Sequence, residues 1–115
     1  MKNHVLRLTK AEQAWIESYR KALADKYPEC IHEILLYGSK ARGQAHPESD
    51  LDVLLIVKDA AGALKRELRR VGYRLAATTE VLPSILAYTE EEWESRKRSG
   101  STFRKAVERD AVRVV

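Results

Sequence analysis

One cysteine, Cys30, stands among 115 residues, so no disulfide can form within the chain and no Cys-based metal site is available. Lying beside Ile31 in an apolar run, it reads as a small core residue, and its isolation suits a reducing compartment. Long apolar runs are missing too. The longest, 34–37 and 53–57, fall far short of the roughly 20 residues that cross a bilayer. Residues 1–7 lack the continuous apolar segment of a signal peptide. A cytoplasmic location is the expectation. Glycine (five) and proline (three) are few, which excludes low-complexity or linker-like chain. Charge of one sign does not dominate either: 21 Lys and Arg face 17 Asp and Glu, a net +4. With a pI near 9.3, that balance permits an anionic partner without forming the concentrated basic stripe of a nucleic-acid footprint.

What is present is a chain 44% hydrophobic and 33% charged, enough for one domain over residues 1–115 with a real core. Thr9-Lys10-Ala11-Glu12 is a capping box, and Trp15, Ile16, Tyr19, Ala22, Leu23 and Tyr27 follow at helical spacing until Pro28 stops the helix. Residues 30–37 predict a strand, 39–42 a short helix, and 44–49 a polar loop containing Pro47. Residues 51–57 are β-branched-rich and apolar on both faces, the pattern of a central, doubly covered strand. Asp59 is placed to cap the next helix. Leu64, Leu68 and Val71 are its buried stripe, Lys65, Arg66, Arg69, Arg70 and Arg74 its solvated face, and Gly72 its C′ residue. A third strand over 80–88 contains Pro83 and so belongs at an edge or a bulge. Thr89-Glu90-Glu91-Glu92 is a second capping box. Its helix is interrupted by Gly100, and a short helix over 102–108 and a strand over 112–115 end the chain. The order implies a single α/β sheet layer with helices against it.

Gly38-Ser39 closes the first strand. A strand feeding a helix N-terminus presents backbone N–H groups to phosphate oxygens, and glycine allows close approach. Ser39 can add a hydroxyl, with Lys40 and Arg42 adding charge; the other reading is a plain turn with Ser39 as N-cap. Gly38 and Gly43 have the glycine spacing of a P-loop, but Gln44-Ala45 stands where Lys-Ser/Thr is required, so that motif is excluded. Ten residues after Ser39 come Asp50 and Asp52. Alternation puts them on one strand face with Cα atoms about 6.6 Å apart. Two carboxylates at the mouth of an apolar strand need cations: either Mg²⁺, which favours oxygen ligands, or Lys40 and Arg42 in a salt-bridge cluster. Both readings are open on the residues alone. His4, His32 and His46 share no spacing and are expected at the surface or hydrogen-bonded. Tyr37 packs beside the turn, where it could also approach a nucleotide.

Gly38-Ser39, ten residues, then Asp50-x-Asp52 resembles the DNA polymerase β-type nucleotidyltransferase superfamily. The longer string Tyr37-Gly38-Ser39-Lys40-Ala41-Arg42-Gly43 … Ser49-Asp50-Leu51-Asp52-Val53 is similar to its minimal nucleotidyltransferases, often the antitoxin half of a pair with a HEPN-type toxin. The resemblance implies a polymerase β-like α/β core, one small mixed sheet with helices packed against it. It also implies Mg²⁺-dependent transfer of a nucleoside monophosphate, AMP from ATP, to a hydroxyl with release of pyrophosphate. Gly38, Ser39, Lys40 and Arg42 would hold the phosphates, and Asp50 and Asp52 two Mg²⁺. The superfamily's third carboxylate, on a neighbouring strand, falls to Glu80 here, a departure from the usual Asp.

Larger members add a helical lobe for the acceptor, and 115 residues leave no room for one. The expected partner is therefore a HEPN-like helical toxin or a second copy of the chain. The alternatives are a weakly active or inactive module that neutralises its partner by binding alone, and transfer to a small molecule such as an antibiotic.

Overall fold

The computed structural model describes residues 8–43 and 49–114, the side chain of Arg42 excepted. His4, His46, Pro47 and Val115 lie outside the described residues. The element order is α1 (Lys10–Lys26), β1 (Ile31–Tyr37), α2 (Gly38–Arg42), β2 (Leu51–Val57), a 3-10 turn (Asp59–Leu64) and α3 (Lys65–Ala76). Then come β3 (Pro83–Thr89), α4 (Glu90–Arg98), α5 (Thr102–Asp110) and β4 (Val112–Arg113). The strands form one mixed sheet in the order β3-β2-β1-β4. β1 is antiparallel to β2 and β4, whereas β3 is parallel to β2. This is the expected α/β class. Among the described residues no helix is long and apolar enough to cross a membrane.

β2 is the interior strand that both layers close on. Leu51, Val53, Leu55 and Val57 face Trp15, Tyr19 and Leu23 of α1 and Leu68 of α3. Leu54 and Ile56 face Trp93 of α4 and Val107 of α5. All six of these strand residues are at most 1% exposed, each contributing about 1.5–3 kcal/mol of burial. Asp52 is the one polar residue in the strand, and alternation sets it on the α4/α5 face. Cys30 packs partly buried against the larger core, as expected.

Both capping boxes form. Thr9 Oγ1 accepts from Glu12 N at 3.1 Å while Thr9 N donates to Glu12 Oε1 at 2.9 Å. Thr89 and Glu92 repeat the arrangement at 3.1 and 2.8 Å.

Three local expectations are corrected. Gly72 does not end α3; the helix runs on to Ala76. A Cβ at Gly72 would stand 2.5 Å from Ile85 Cδ1 and 2.9 Å from Tyr19 Cζ, so glycine is what lets α1, α3 and β3 meet. Trp15 Nε1 donates to Gly72 O at 2.9 Å across the same contact. Asp59 does not cap its own helix, because the chain there winds as a 3-10 turn. Its Oδ1 instead accepts from Glu91 N at the head of α4, at 2.9 Å. The third strand begins at Pro83 rather than at 80, and it is an edge strand, the position where a residue without an N–H is tolerated.

Candidate active site

The site begins where β1 ends. Gly38 opens α2 with φ +76°, in the left-handed region that favours glycine. A second constraint acts at the same atom: a Cβ on Gly38 would lie 2.2 Å from Asp52 Oδ2. Glycine is thus required both by the turn and by the carboxylate pressed against it. Tyr37, the N-cap of α2, makes no side-chain capping bond, and Gly43 closes the turn in the αL region at φ 72°. Ser39 is partly exposed on the first turn. In the sheet, Asp52 is flanked by Tyr37 on β1 and Ser84 on β3. The Tyr37 ring is half-buried and meets Phe103 edge-on with centroids 5.5 Å apart. Burial, and then the Asp52 charge, push its hydroxyl up to about 12. Asp50, one residue ahead of β2, is exposed and lines a recess of about 480 Å³ with Tyr73, Thr79, Leu82 and Pro83.

The structure separates the remaining candidates from this group. Lys40 does not face a phosphate site. Its ammonium is 3.1 Å from Glu12 Oε1, and the two residues are 1% and 4% exposed. The physical reason is helical geometry: two residues past Gly38, the side chain of α2 turns inward to the N-terminal turn of α1, where a capping carboxylate awaits it. The carboxylate that Lys40 meets is thus that of Glu12 in α1. Arg42 belongs to α2 by its backbone, and its side chain lies outside the described residues.

Glu80 is not the strand neighbour of Asp52. It is exposed in the bend before β3, three residues ahead of Pro83, and the parallel register puts Ser84 beside Asp52. Among the described residues no group of three or more His, Cys, Asp or Glu is arranged to hold a metal. His32 is exposed near Glu90 (3.4 Å) and Glu33 (3.9 Å), at the end of β1 remote from Tyr37.

Two residues that matter here carried no local signal. Glu12 was readable only as a cap, since nothing in its neighbourhood points to Lys40. Ser84 becomes Asp52's neighbour only through the strand register, since a strand that starts at Pro83 aligns its second residue with Asp52.

Residues 16–110 match the family described as nucleotidyltransferase domain. Two proteins of Methanocaldococcus jannaschii, each named "Putative protein adenylyltransferase", are similar. One is 28% identical over 74 residues, covering 64% of this chain and 75% of that protein. The other is 42% identical over 45 residues, 39% of this chain and 45% of that protein. A solved structure described as a toxin-antitoxin with AMP-PNP shares the fold, with a TM-score of 0.55 at 22% identity over 90% of this chain and 72% of that one. The matched stretch runs from within α1 to the end of α5 and contains the Gly38 turn closed on Asp52, and by that match this chain belongs to the nucleotidyltransferase domain family.

Proposed function

We propose that this domain transfers AMP from ATP to a hydroxyl of a partner protein, with a HEPN-type helical toxin as the acceptor and Mg²⁺ as the metal. The observation that carries the reading is the contact of Gly38 with Asp52. A glycine turn able to take phosphate oxygens and a carboxylate able to take their counter-ion occupy adjacent space, to the exclusion of a single methyl group. The names of the Methanocaldococcus relatives support protein adenylylation, and the nucleotide analogue named with the toxin-antitoxin neighbour supports ATP.

The residues fit a Mg²⁺ ion. Carboxylate oxygens are its preferred protein donors, and one or two of them suffice when substrate phosphates and water complete the octahedron. Asp50 and Asp52 would hold it; when bound, it supplies positive charge to the phosphates and favours deprotonation of the acceptor hydroxyl. The backbone N–H groups of Gly38 and Ser39, with the Ser39 hydroxyl, hold the β- and γ-phosphates. Held there, the nucleotide would present its α-phosphorus to the acceptor. As the acceptor hydroxyl loses its proton to water, its oxygen bonds to the α-phosphorus, the bond to the bridging α,β-oxygen breaks, and pyrophosphate departs. Lys40 is engaged with Glu12, and Arg42 would add positive charge for the phosphates. This chain's contribution is positioning and preorganised charge.

Ser84 beside Asp52 favours a second reading. A hydroxyl does not replace the charge of a third carboxylate, so the domain could bind nucleotide and neutralise its partner by contact alone. The two readings part in one experiment. The protein is incubated with ATP labelled at the α-phosphate, Mg²⁺ and the protein encoded beside it. Label on the partner that disappears in Asp52→Asn supports transfer. Neutralisation that survives Asp50→Asn with Asp52→Asn, without label, supports binding alone.

A further inference from the structure

Beside Asp50 the molecule presents a shallow recess walled largely by apolar side chains. Tyr73 and Leu82, two of its walls, are 42% and 56% exposed and so present adjoining apolar surface to solvent. Asp50 lines the same recess, together with Pro83, Val81 and Ala76. Whatever occupies it lies against Asp50.

The adjoining sheet edge restricts what that occupant can be. Leu51 N donates to Leu82 O at 2.9 Å, so residues 82, 84, 86 and 88 turn their backbone groups toward β2, and 83, 85, 87 and 89 turn theirs outward. Pro83 has no N–H. Ile85 N donates to the Tyr73 hydroxyl at 2.9 Å, and Thr89 N to Glu92 Oε1 at 2.8 Å. Three of the four outward positions thus have no N–H to offer, and a strand cannot be added to β3 there. Recognition on this side has to run through side chains. The net charge of α3 is positive: it carries Lys65, Arg66, Arg69, Arg70 and Arg74 against the single acid Glu67. Lys65 pairs with Glu92 and Arg70 and Arg74 share Glu67, while Arg66 and Arg70 lie two turns and one turn from Tyr73 on exposed positions.

We propose that this recess is the docking site for the acceptor protein, and that it takes an apolar side chain presented from a helix or turn with acidic residues around it. An apolar anchor in a recess beside the reaction site, flanked by complementary charge, sets which hydroxyl reaches Asp50 and Asp52. The inference rests on the transferase reading for its choice of partner, but its test reads binding and not transfer.

The full chain is titrated calorimetrically with the protein encoded beside it, as wild type, Leu82→Glu, Leu82→Met and Arg66→Glu. Leu82 is mostly exposed, so Leu82→Glu is expected to keep the fold and the stabilisation by Mg²⁺ and ATP, while binding weakens at least about tenfold. Leu82→Met should stay near wild type. Arg66→Glu should weaken binding by a few-fold, the loss fading in high salt. Unchanged binding in Leu82→Glu overturns the proposal, as does a parallel loss of the nucleotide effect, which would place Leu82 in the nucleotide site. Absence of binding by the wild type overturns it too, and so does self-association that Leu82→Glu abolishes, which would assign the recess to a second copy. Asp52→Asn is run beside these: bound but unlabelled partner leaves the docking inference standing, and bound, unlabelled partner with the wild type contradicts transfer alone.

Discussion

Two Thr-x-x-Glu boxes open two helices with the same pair of hydrogen bonds, and each glutamate also meets a lysine. There the likeness ends. Glu12 is 4% exposed and its partner Lys40 1%, their charged groups 3.1 Å apart beneath the Gly38 turn. Glu92 and Lys65, at 2.7 Å, have side chains 48% and 30% exposed. The local bonding is the same, but the surroundings differ in dielectric. Out of water, two charges hold each other tightly and neither tolerates the loss of the other. In water the same pair is screened and mobile. The buried pair ties α1 to the short helix that carries Gly38 and Ser39, so a five-residue helix with no side-chain N-cap is anchored from behind. The exposed pair only trims the start of α4.

The sharpest way to break this contrast is Lys40→Met, which leaves Glu12 buried and uncompensated. Denaturant unfolding should show a loss of about 3–5 kcal/mol, and Glu12→Gln added to it should restore a large part. Recovery that fails to appear would mean that packing, not charge, holds this corner. Thr9→Ala removes one capping bond while sparing the ion pair, and is expected to cost about 1 kcal/mol in the same assay. Lys65→Met should change stability by less than about 1 kcal/mol, and that small effect should vanish as salt is raised, whereas the Lys40→Met loss should persist. A salt-insensitive Lys65 effect would erase the distinction between the two pairs.

Acid titration sharpens it further. The Lys65 ammonium and then the Thr89 N–H hold the Glu92 carboxyl below the usual carboxylate range. A carboxyl depressed in the folded state adds stability at neutral pH that is lost as pH falls through its lowered folded value. Unfolding midpoints of wild type and Glu92→Gln should therefore differ at pH 6 and converge toward pH 3.

How much of this was legible depended on how local the signal was. Both capping boxes, the bounds of β2 and the short helix after Gly38 come from neighbours within a few residues, and all are present. The close approach of Gly38 to Asp52 was legible for the same reason, since Gly38-Ser39 and Asp50-x-Asp52 are short motifs at fixed spacing. Lys40 was misplaced because its partner, Glu12, lies 28 residues away and is already satisfied as a cap. Glu80 was misplaced because the parallel register depends on where β3 starts, and Pro83 moved that start past it. Gly72 looked like a helix end because its cause, the approach of Tyr19 and Ile85, is tertiary. In each case the residue type was read correctly and its partner was out of sequence range.

Transfer itself is the central claim, and one measurement bears on it most directly. With ATP labelled at the α-phosphate, Mg²⁺ and the protein encoded beside this chain, the rate of label appearing on that protein is compared for wild type and Asp52→Asn. The account predicts covalent label with wild type and a fall of at least about a hundredfold with the variant, while both proteins stay folded and bind the partner equally. Label that accumulates at the same rate in Asp52→Asn, or no label from a wild type that binds both ATP and partner, would contradict it.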